Sequence, residues 1–561
     1  MSYNSAVKDK LPRIVALTAL VFLVGWPAMR LAVGTLTGED GVWTLMGWRE
    51  VFALPALPRA AWNTLLLASV SAFSAVLFGG AAAFLIARCG LPAPGLWRTG
   101  LAAPILFSQS VLAAAWVLLA DRQGGLLNVL AERLGVAWRL NVFSPSGMAL
   151  VVMSCVLPPA FLFLEAAFAR MDPALEETAA VCGADARTIL LRVTLPRAAP
   201  ALGGASLISF LAAAAAFGPQ AVLGLPSGIW TLPNLLYARW NLYSAHPASI
   251  AALAALLLTL GASVRPLLVR SRIAEALASP RVDAQTWPLG PYARATALVG
   301  LVLMVIIGAI LPAMALLLRS LTPYGLQVHA PASEVWSRLN MDAWITVACD
   351  PQWRRAFAHS LGMAYAATVL SAAVGLALAA LAARPGTRGA TWVDAAASAP
   401  LGWSATALAV AISAAFGASP MRLGPPALMT LAYLIRELPL PYLAGRASVA
   451  GAPRALEEVA LALGASPITA ARVALWPAAR PALAAAGAVV FCASFREIEA
   501  SVLLAAPGWE SFGASSYAAW TGGQVREMSA ASLIGAVLAG LGTATILWAG
   551  SIDRRQGEKA C

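Results

Sequence analysis

Residues 175–200 read LEETAAVCGADARTILLRVTLPRAAP, and residues 456–481 read LEEVALALGASPITAARVALWPAARP. One constant offset, close to half of the 561 residues, brings Leu175 onto Leu456, Glu176 onto Glu457, Glu177 onto Glu458, Gly183 onto Gly464 and Ala184 onto Ala465. It also brings Pro196 onto Pro477 and Pro200 onto Pro481. Self-similarity at a fixed spacing is the mark of a duplicated unit, so the chain reads as two fused halves. Each copy spells helix, turn, helix. An Ala-rich first helix carries the Glu pair. Gly183 and Gly464 stand where that helix stops and the backbone needs a positive φ. Asp185 and Ser466 follow as N-caps of a second helix, and Pro467 sits in its first turn, where a missing N–H costs nothing. Asp172-Pro173 starts the first copy, whereas the second has Pro453 without the acidic cap. The paired prolines are expected to mark the return into an apolar segment.

The duplicated loops are set in an apolar chain. Hydrophobic residues make up 60% and charged residues 11%, and the mean hydropathy is +0.76. An average globular chain is about 25% charged, so this one cannot cover soluble domains with charge. It is also too apolar for disorder. A bilayer span needs about 20 apolar residues. Twelve runs qualify, near 12–34, 62–87, 100–120, 147–169, 201–224, 247–269, 294–318, 357–383, 396–416, 424–446, 482–505 and 529–550. The first follows Lys8, Lys10 and Arg13 as a signal peptide would, but its length and the lack of a clean small-x-small site read as a span. The expected fold is an all-α polytopic membrane protein of about 12 transmembrane helices in two homologous six-helix halves. The first half is 1–269 with its loop at 172–200. A polar, Pro-containing cytoplasmic linker occupies 270–293, and the second half is 294–561 with its loop at 453–481.

The net charge is +12, yet nothing in its distribution suggests nucleic acid. All but three of the 38 basic residues are Arg, and no five of them cluster. They lie in short loops, as topology signals do. The excess, including Lys8, Lys10, Arg13, Arg88, Arg98, Arg170, Arg270, Arg384, Arg388 and Lys559, places both termini and both repeat loops in the cytoplasm. Arg122, Arg133, Arg139, Arg354 and Arg355 fall on the outer side. The six cysteines form no C-x-x-C pair, and His246, His329 and His359 have no metal-ligand spacing. No metal site and no catalytic residue is expected. A cysteine in such apolar surroundings acts as a small hydrophobe.

A bare connecting helix at the interface needs no strip of small residues. Ala179, Ala180, Gly183 and Ala184 form one, which favours a docking role. The spacing Glu177-Thr178-Ala179…Gly183, followed by Val193-Thr194-Leu195-Pro196, resembles the EAA loop of binding-protein-dependent ABC transporter permeases. Glu458-Val459-Ala460…Gly464 resembles it again, with Leu475-Trp476-Pro477 in place of the usual Leu-Pro. Asn63-Thr64-Leu65-Leu66-Leu67-Ala68 with Gly79 and Gly80 is similar to the opening helix of the permease core, and His359-Ser360-Leu361 is similar to its counterpart. Phe217-Gly218-Pro219, Tyr433-Leu434-Ile435-Arg436-Glu437-Leu438-Pro439 and Phe495-Arg496-Glu497-Ile498-Glu499-Ala500-Ser501 resemble segments of fused ferric-iron-type permeases. Related fused permeases serve ferric iron, thiamine and other small solutes. The resemblance covers about 60–270 and 355–550.

That resemblance implies an ATP-driven importer. Glu176, Glu177, Ala179, Gly183 and Ala184, with Glu457, Glu458, Ala460, Gly464 and Ala465, would couple to two cytoplasmic ABC ATPase subunits. A periplasmic or extracellular substrate-binding protein would deliver cargo, ferric iron first among the candidates, across the bacterial cytoplasmic membrane. ATP would be bound by the partner subunits and no cofactor by this chain. A Walker A loop needs Gly-Lys before Ser or Thr. The only lysines, Lys8, Lys10 and Lys559, precede Asp9, Leu11 and Ala560.

Arg436, Glu437, Arg496, Glu497 and Glu499 lie in or beside apolar spans of the second half. Charges there are costly and are functional candidates by default. They can line the translocation path, or Arg436/Glu437 and Arg496/Glu497 can pair between helices and neutralise one another. The first half has Ala216-Phe217-Gly218 at the matching positions, so the cluster is asymmetric. Glu165 is placed to snorkel or to pair with Arg170. An ion-gradient-driven secondary transporter would account for repeats and midplane charges but leaves the two helix–Gly–helix loops unexplained. A membrane-embedded enzyme would need clustered acids or metal ligands that the sequence does not contain.

Overall fold

The computed structural model describes residues 17–38, 41–243, 245–263, 287, 289–323, 334, 337–382, 390–417, 422–451 and 454–557. Among these the regular elements are helices, and the one recorded β contact is an isolated bridge between Thr37 and Trp43. The chain is an all-α polytopic membrane protein. Seven helices are long and apolar enough to cross a bilayer: Leu17–Gly34, Ala56–Arg88, Pro145–Phe168, Ala186–Ala215, Pro291–Leu321, Pro351–Ala382 and Val525–Ser551. Two further pairs meet the same test together but are bent, Pro94–Leu106 with Gln109–Ala120 by 100° and Ala390–Gly402 with Ala405–Phe416 by 116°. The other three expected spans fall on shorter helices. These are Pro247–Ser263, Pro425–Glu437 continued by Pro439–Gly451, and the apolar Ala479–Phe495 part of Pro467–Phe495.

Several expected boundaries are corrected. The runs at 100–120 and 396–416 are not straight. Pro104 and Pro400 lack the N–H that would extend a helix, and 3₁₀ turns form at Ala103–Leu106 and Ala399–Gly402. Ser108 then accepts the Val111 N–H and starts a new helix, as Ser404 does by position. The span expected at 201–224 runs from Ala186 to Ala215 instead, and the one expected at 482–505 stops at Phe495. Pro196, Pro200, Pro477 and Pro481 therefore lie within continuous helices rather than at their entry. A wide π turn at Leu190–Thr194 precedes the prolines in the first of these. Lys8, Lys10, Arg13, Arg384, Arg388, Pro453, Lys559 and most of the linker 270–293 lie outside the described residues.

Two helices far apart in the chain pack on distant segments. Leu17–Gly34 lies against Ala405–Phe416, with Phe22 and Phe416 rings 5.1 Å apart and the Trp26 indole N–H 3.5 Å from the Ala415 carbonyl. Pro291–Leu321 lies against Pro94–Leu106 and Gln109–Ala120. One apolar cluster accordingly contains Leu31, Leu253, Phe416 and Tyr433 together. Glycines set the closest approaches. A Cβ on Gly375 would stand 2.8 Å from the Tyr442 backbone nitrogen. At the contact of Pro247–Ser263 with Ala399–Gly402, a Cβ on Gly402 would stand 2.3 Å from the Gly261 carbonyl oxygen. Overpacking of this kind costs about 1–3 kcal/mol or more. Gly402→Val is expected to lower the thermal unfolding midpoint of the purified chain. An unchanged midpoint would mean that the two backbones can separate freely.

Candidate functional site

The first repeat loop opens with the helix Ala174–Val181. Gly183 ends it with φ +86°, its N–H reaching the Ala180 carbonyl at 3.0 Å, while the Ala184 N–H reaches the Ala179 carbonyl at 3.0 Å. The second copy, Arg454–Ala462, repeats this geometry. Gly464 has φ +84°, its N–H bonds the Leu461 carbonyl at 3.0 Å and the Ala465 N–H bonds the Ala460 carbonyl at 3.0 Å. Both are Schellman turns, closed through a left-handed glycine. Ser466 accepts the Thr469 N–H at 3.2 Å and caps the next helix. Asp185 holds the same position in the first loop. The Thr188 hydroxyl donates to its carboxylate and keeps its pKa below the usual range.

Burial divides the residues expected to dock a partner. Glu177, Gly183, Glu458 and Gly464 are exposed, and Ala179, Ala184, Glu457, Ala460 and Ala465 are half-buried. Two apolar neighbours, Val181 at 89% and Leu463 at 83% exposure, have no apolar cover. Glu176 differs, with only 3% exposure. It forms an ion pair with the fully buried Arg88, accepts the Thr194 hydroxyl at 2.8 Å and accepts the Trp287 indole N–H at 3.3 Å. Arg88 also donates to the Met171 carbonyl at 2.9 Å. Glu176 thus ties the loop to the protein interior, whereas Glu177 beside it is exposed. Arg88, read from sequence as a topology signal, is its partner. The second loop carries Leu475 where the first has Thr194, so Glu457 has no equivalent hydroxyl. Burial pushes the thiol of Cys89 up to about 11 against the opposing pull of Arg88. It therefore stays protonated and serves as a small apolar filler, as expected.

The intramembrane charges gather where helices break. Arg436 lies near the end of Pro425–Glu437, roughly 17 Å along the helix from its start at 1.5 Å per residue. Arg496 follows the end of Pro467–Phe495. The break after Phe495 faces the break after Ala215, and there the Phe217 N–H donates to Glu499 Oε1 at 3.0 Å. Arg436 Nη1 donates to Glu499 Oε2 at 2.9 Å, and its Nε lies 3.6 Å from Glu437. Arg496 Nη1 donates to the Phe107 carbonyl at 2.8 Å, at the bend before Gln109. Glu497 accepts the Ala500 N–H at 2.8 Å, the Ser501 N–H at 3.1 Å and the Ser501 hydroxyl at 2.8 Å.

The interhelical ion pair recorded here is therefore Arg436–Glu499. The expected Arg496/Glu497 pairing gives way to two attachments, Arg496 to a carbonyl across the interface and Glu497 to the turn that follows it. Broken helices expose N–H and C=O groups that must be satisfied within the protein, and these charged side chains satisfy them. All five residues, with Gln109, Ala493 and Ile498, line a cavity of about 60 Å³. Sequence reasoning missed Gln109, since only the 100° bend brings it to this place. Glu165 bonds Arg98 at 2.7 Å, and Arg170 donates to the Ala166 carbonyl at 2.9 Å. Among the described residues, no group of three or more His, Cys, Asp or Glu is disposed to hold a metal ion.

No protein-family model matches the chain. A protein of Streptomyces antibioticus named as an ABC transporter permease is 32% identical over 235 residues, which are 42% of this chain and 95% of that relative. An ABC transporter permease protein of Sinorhizobium fredii is 27% identical over 216 residues, 38% of this chain and 35% of that relative. Among solved structures, a bacterial alginate ABC transporter in complex with a periplasmic protein bound to alginate pentasaccharide matches with TM-score 0.31 and 17% identity, over 53% of this chain and 92% of the matched chain. A bacterial ABC transporter involved in alginate import matches with TM-score 0.32 and 16% identity, over 54% and 96%.

Proposed function

The chain belongs to the ABC transporter permeases, and we propose that it is the membrane subunit of an ATP-driven importer of the fused, two-half type. The relative matched over 95% of its own length spans 42% of this chain, which suits one of two homologous halves, 1–269 and 294–561. In this reading both termini and the loops 172–200 and 453–481 face the cytoplasm of a bacterium. Each loop seats in one of two ABC ATPase subunits, which bind the ATP. Closure of those subunits switches the access of the path between the two sides of the membrane. A substrate-binding protein meets the outer loops. The intramembrane residues Arg436, Glu437, Arg496, Glu497 and Glu499 line the path. The cargo put forward from the resemblance along the whole chain is ferric iron or a similar small solute such as thiamine.

The observation that carries this reading is the pair of matched Schellman turns, each presenting an exposed Glu and an uncovered apolar side chain beside a left-handed glycine. Such turns leave Glu177 and Glu458 in the same relation to Gly183 and Gly464. The test is co-purification of tagged chain with the ATPase subunits expressed beside it. Among the described residues neither glycine has an atom within 4 Å of an added Cβ. Gly183→Arg with Gly464→Arg therefore strains two turns by about 1–2 kcal/mol each and places bulk at the proposed seat without touching the core. Wild type is expected to retain the ATPase, and the double variant to lose it while still inserted and monodisperse. Failure of wild type to retain any ATPase would overturn the reading and favour a gradient-driven transporter.

A further inference from the structure

The charged cavity holds groups that its internal partners leave unused. Arg436 and Glu499 satisfy one another, and the second oxygen of Glu499 takes the Phe217 N–H. The oxygens of Glu497 take two backbone N–H groups and a hydroxyl. Three groups remain. Among the described residues Glu437 accepts no hydrogen bond; its ion contact is the neighbouring Arg436 at 3.6 Å, a guanidinium already bound to Glu499, and the charge of Arg496 lies near it across the cavity. Among the described residues the buried Nε of Arg496 and the buried Oε1 of Gln109 have no hydrogen-bond partner. An unsatisfied buried polar atom costs about 1–3 kcal/mol, and polar groups at membrane depth are retained where they serve a passing solute.

We propose that this cavity receives the head group of a small zwitterion, with its ammonium set against Glu437 and Gln109 Oε1 and its carboxylate set against Arg496. The inference rests on the importer reading above and names the substrate class for the path. The leftover groups are one carboxylate and one amide oxygen on the acceptor side and one guanidinium on the donor side. A bare anion would meet three glutamates. A bare metal ion would meet two arginines, and the described carboxylates do not converge into a metal-binding group. A solute carrying both charges finds a partner for each, and a guanidinium suits a carboxylate in particular. The cavity of about 60 Å³ takes roughly four to six non-hydrogen atoms, at about 10–15 Å³ for each water-sized group. Glycine and β-alanine fall in that size range.

The test uses the full chain co-purified with its ATPase subunits and reconstituted in nanodiscs. Titration calorimetry compares glycine and β-alanine with ethylammonium and acetate, which carry one charge each, and with ferric citrate. At least one zwitterion is expected to bind ten-fold more tightly than either single-charge probe. Glu437→Gln and Arg496→Gln are each expected to weaken it ten-fold or more, with Glu437→Gln sparing acetate and Arg496→Gln sparing ethylammonium. Arg496→Lys, which keeps the charge, serves if Arg496→Gln fails to insert. The proposal is overturned if no zwitterion binds, if single-charge probes bind equally well, if the substitutions leave zwitterion binding unchanged, or if ferric citrate alone binds. Retention of the ATPase in these preparations separates such a failure from failure of the importer reading, since loss of ATPase from wild type would sink both.

Discussion

Glu499→Ala is expected to abolish recovery of folded protein from the membrane. The substitution strips Arg436 of its 2.9 Å partner and leaves the Phe217 N–H without its acceptor. Glu499 is 4% exposed, so no solvent replaces it. Removing one member of a buried ion pair costs about 3–5 kcal/mol, because the charge left behind is uncompensated. That is a large part of the 5–15 kcal/mol that holds an ordinary domain folded. The break after Phe495 would also part from the break after Ala215, which Glu499 joins. The measurement is the monodisperse fraction by size-exclusion chromatography, together with the unfolding midpoint. The combination Arg436→Met with Glu499→Gln separates charge from shape. The amide still accepts the Phe217 N–H and the Arg436–Glu499 charges leave together, with Glu437 alone losing its 3.6 Å neighbour, so folding is expected to recover in large part while transport stays absent. Full stability of the single Glu499→Ala variant would show that Arg436 has another partner of equal strength.

Glu176→Ala is expected to be the most damaging single change in either repeat loop. Arg88 has no exposed surface, and losing the carboxylate would leave its guanidinium buried and uncompensated, again about 3–5 kcal/mol. Thr194 and Trp287 would lose their acceptor too, and with it the tie between the loop, the start of its second helix and the segment entering the next half. The matched change Glu457→Ala removes a half-exposed side chain from a loop with Leu475 in place of the threonine. Surface changes of that kind cost about 0.5 kcal/mol or less. The two variants therefore distinguish anchor from contact. Glu176→Ala should lower the unfolding midpoint, whereas Glu457→Ala should leave it in place. Equal midpoints would mean that the buried clasp contributes nothing to the first loop.

Much of the architecture is legible along the chain. Among the described residues each of the twelve apolar runs falls mainly on helix, because the length of an apolar run is a local property that the bilayer imposes. The two turn glycines were readable for the same reason, since a left-handed residue at a helix end excludes most side chains whatever surrounds it. The bends were harder to see. Pro104 and Pro400 stand inside runs apolar enough to pass as straight spans, and only the caps at Ser108 and Ser404 show where a second helix begins. Glu176 and Glu177 are neighbours of the same chemical type, and nothing local tells which of them turns inward.

What the sequence determined by itself was the membrane class, the internal repetition and the form of the two loops, each of which follows from apolar run length, spacing and backbone sterics. The tertiary structure alone decided the charge partners. Arg436 added the distant Glu499 at 2.9 Å to its neighbour Glu437 at 3.6 Å, Arg496 turned to the Phe107 carbonyl, and Glu176 found Arg88 and Trp287. These partners lie from tens to hundreds of residues apart. Their choice depends on which carboxylates and guanidinium groups packing takes away from water together, and desolvation is set by the whole assembly of helices rather than by any stretch of the chain.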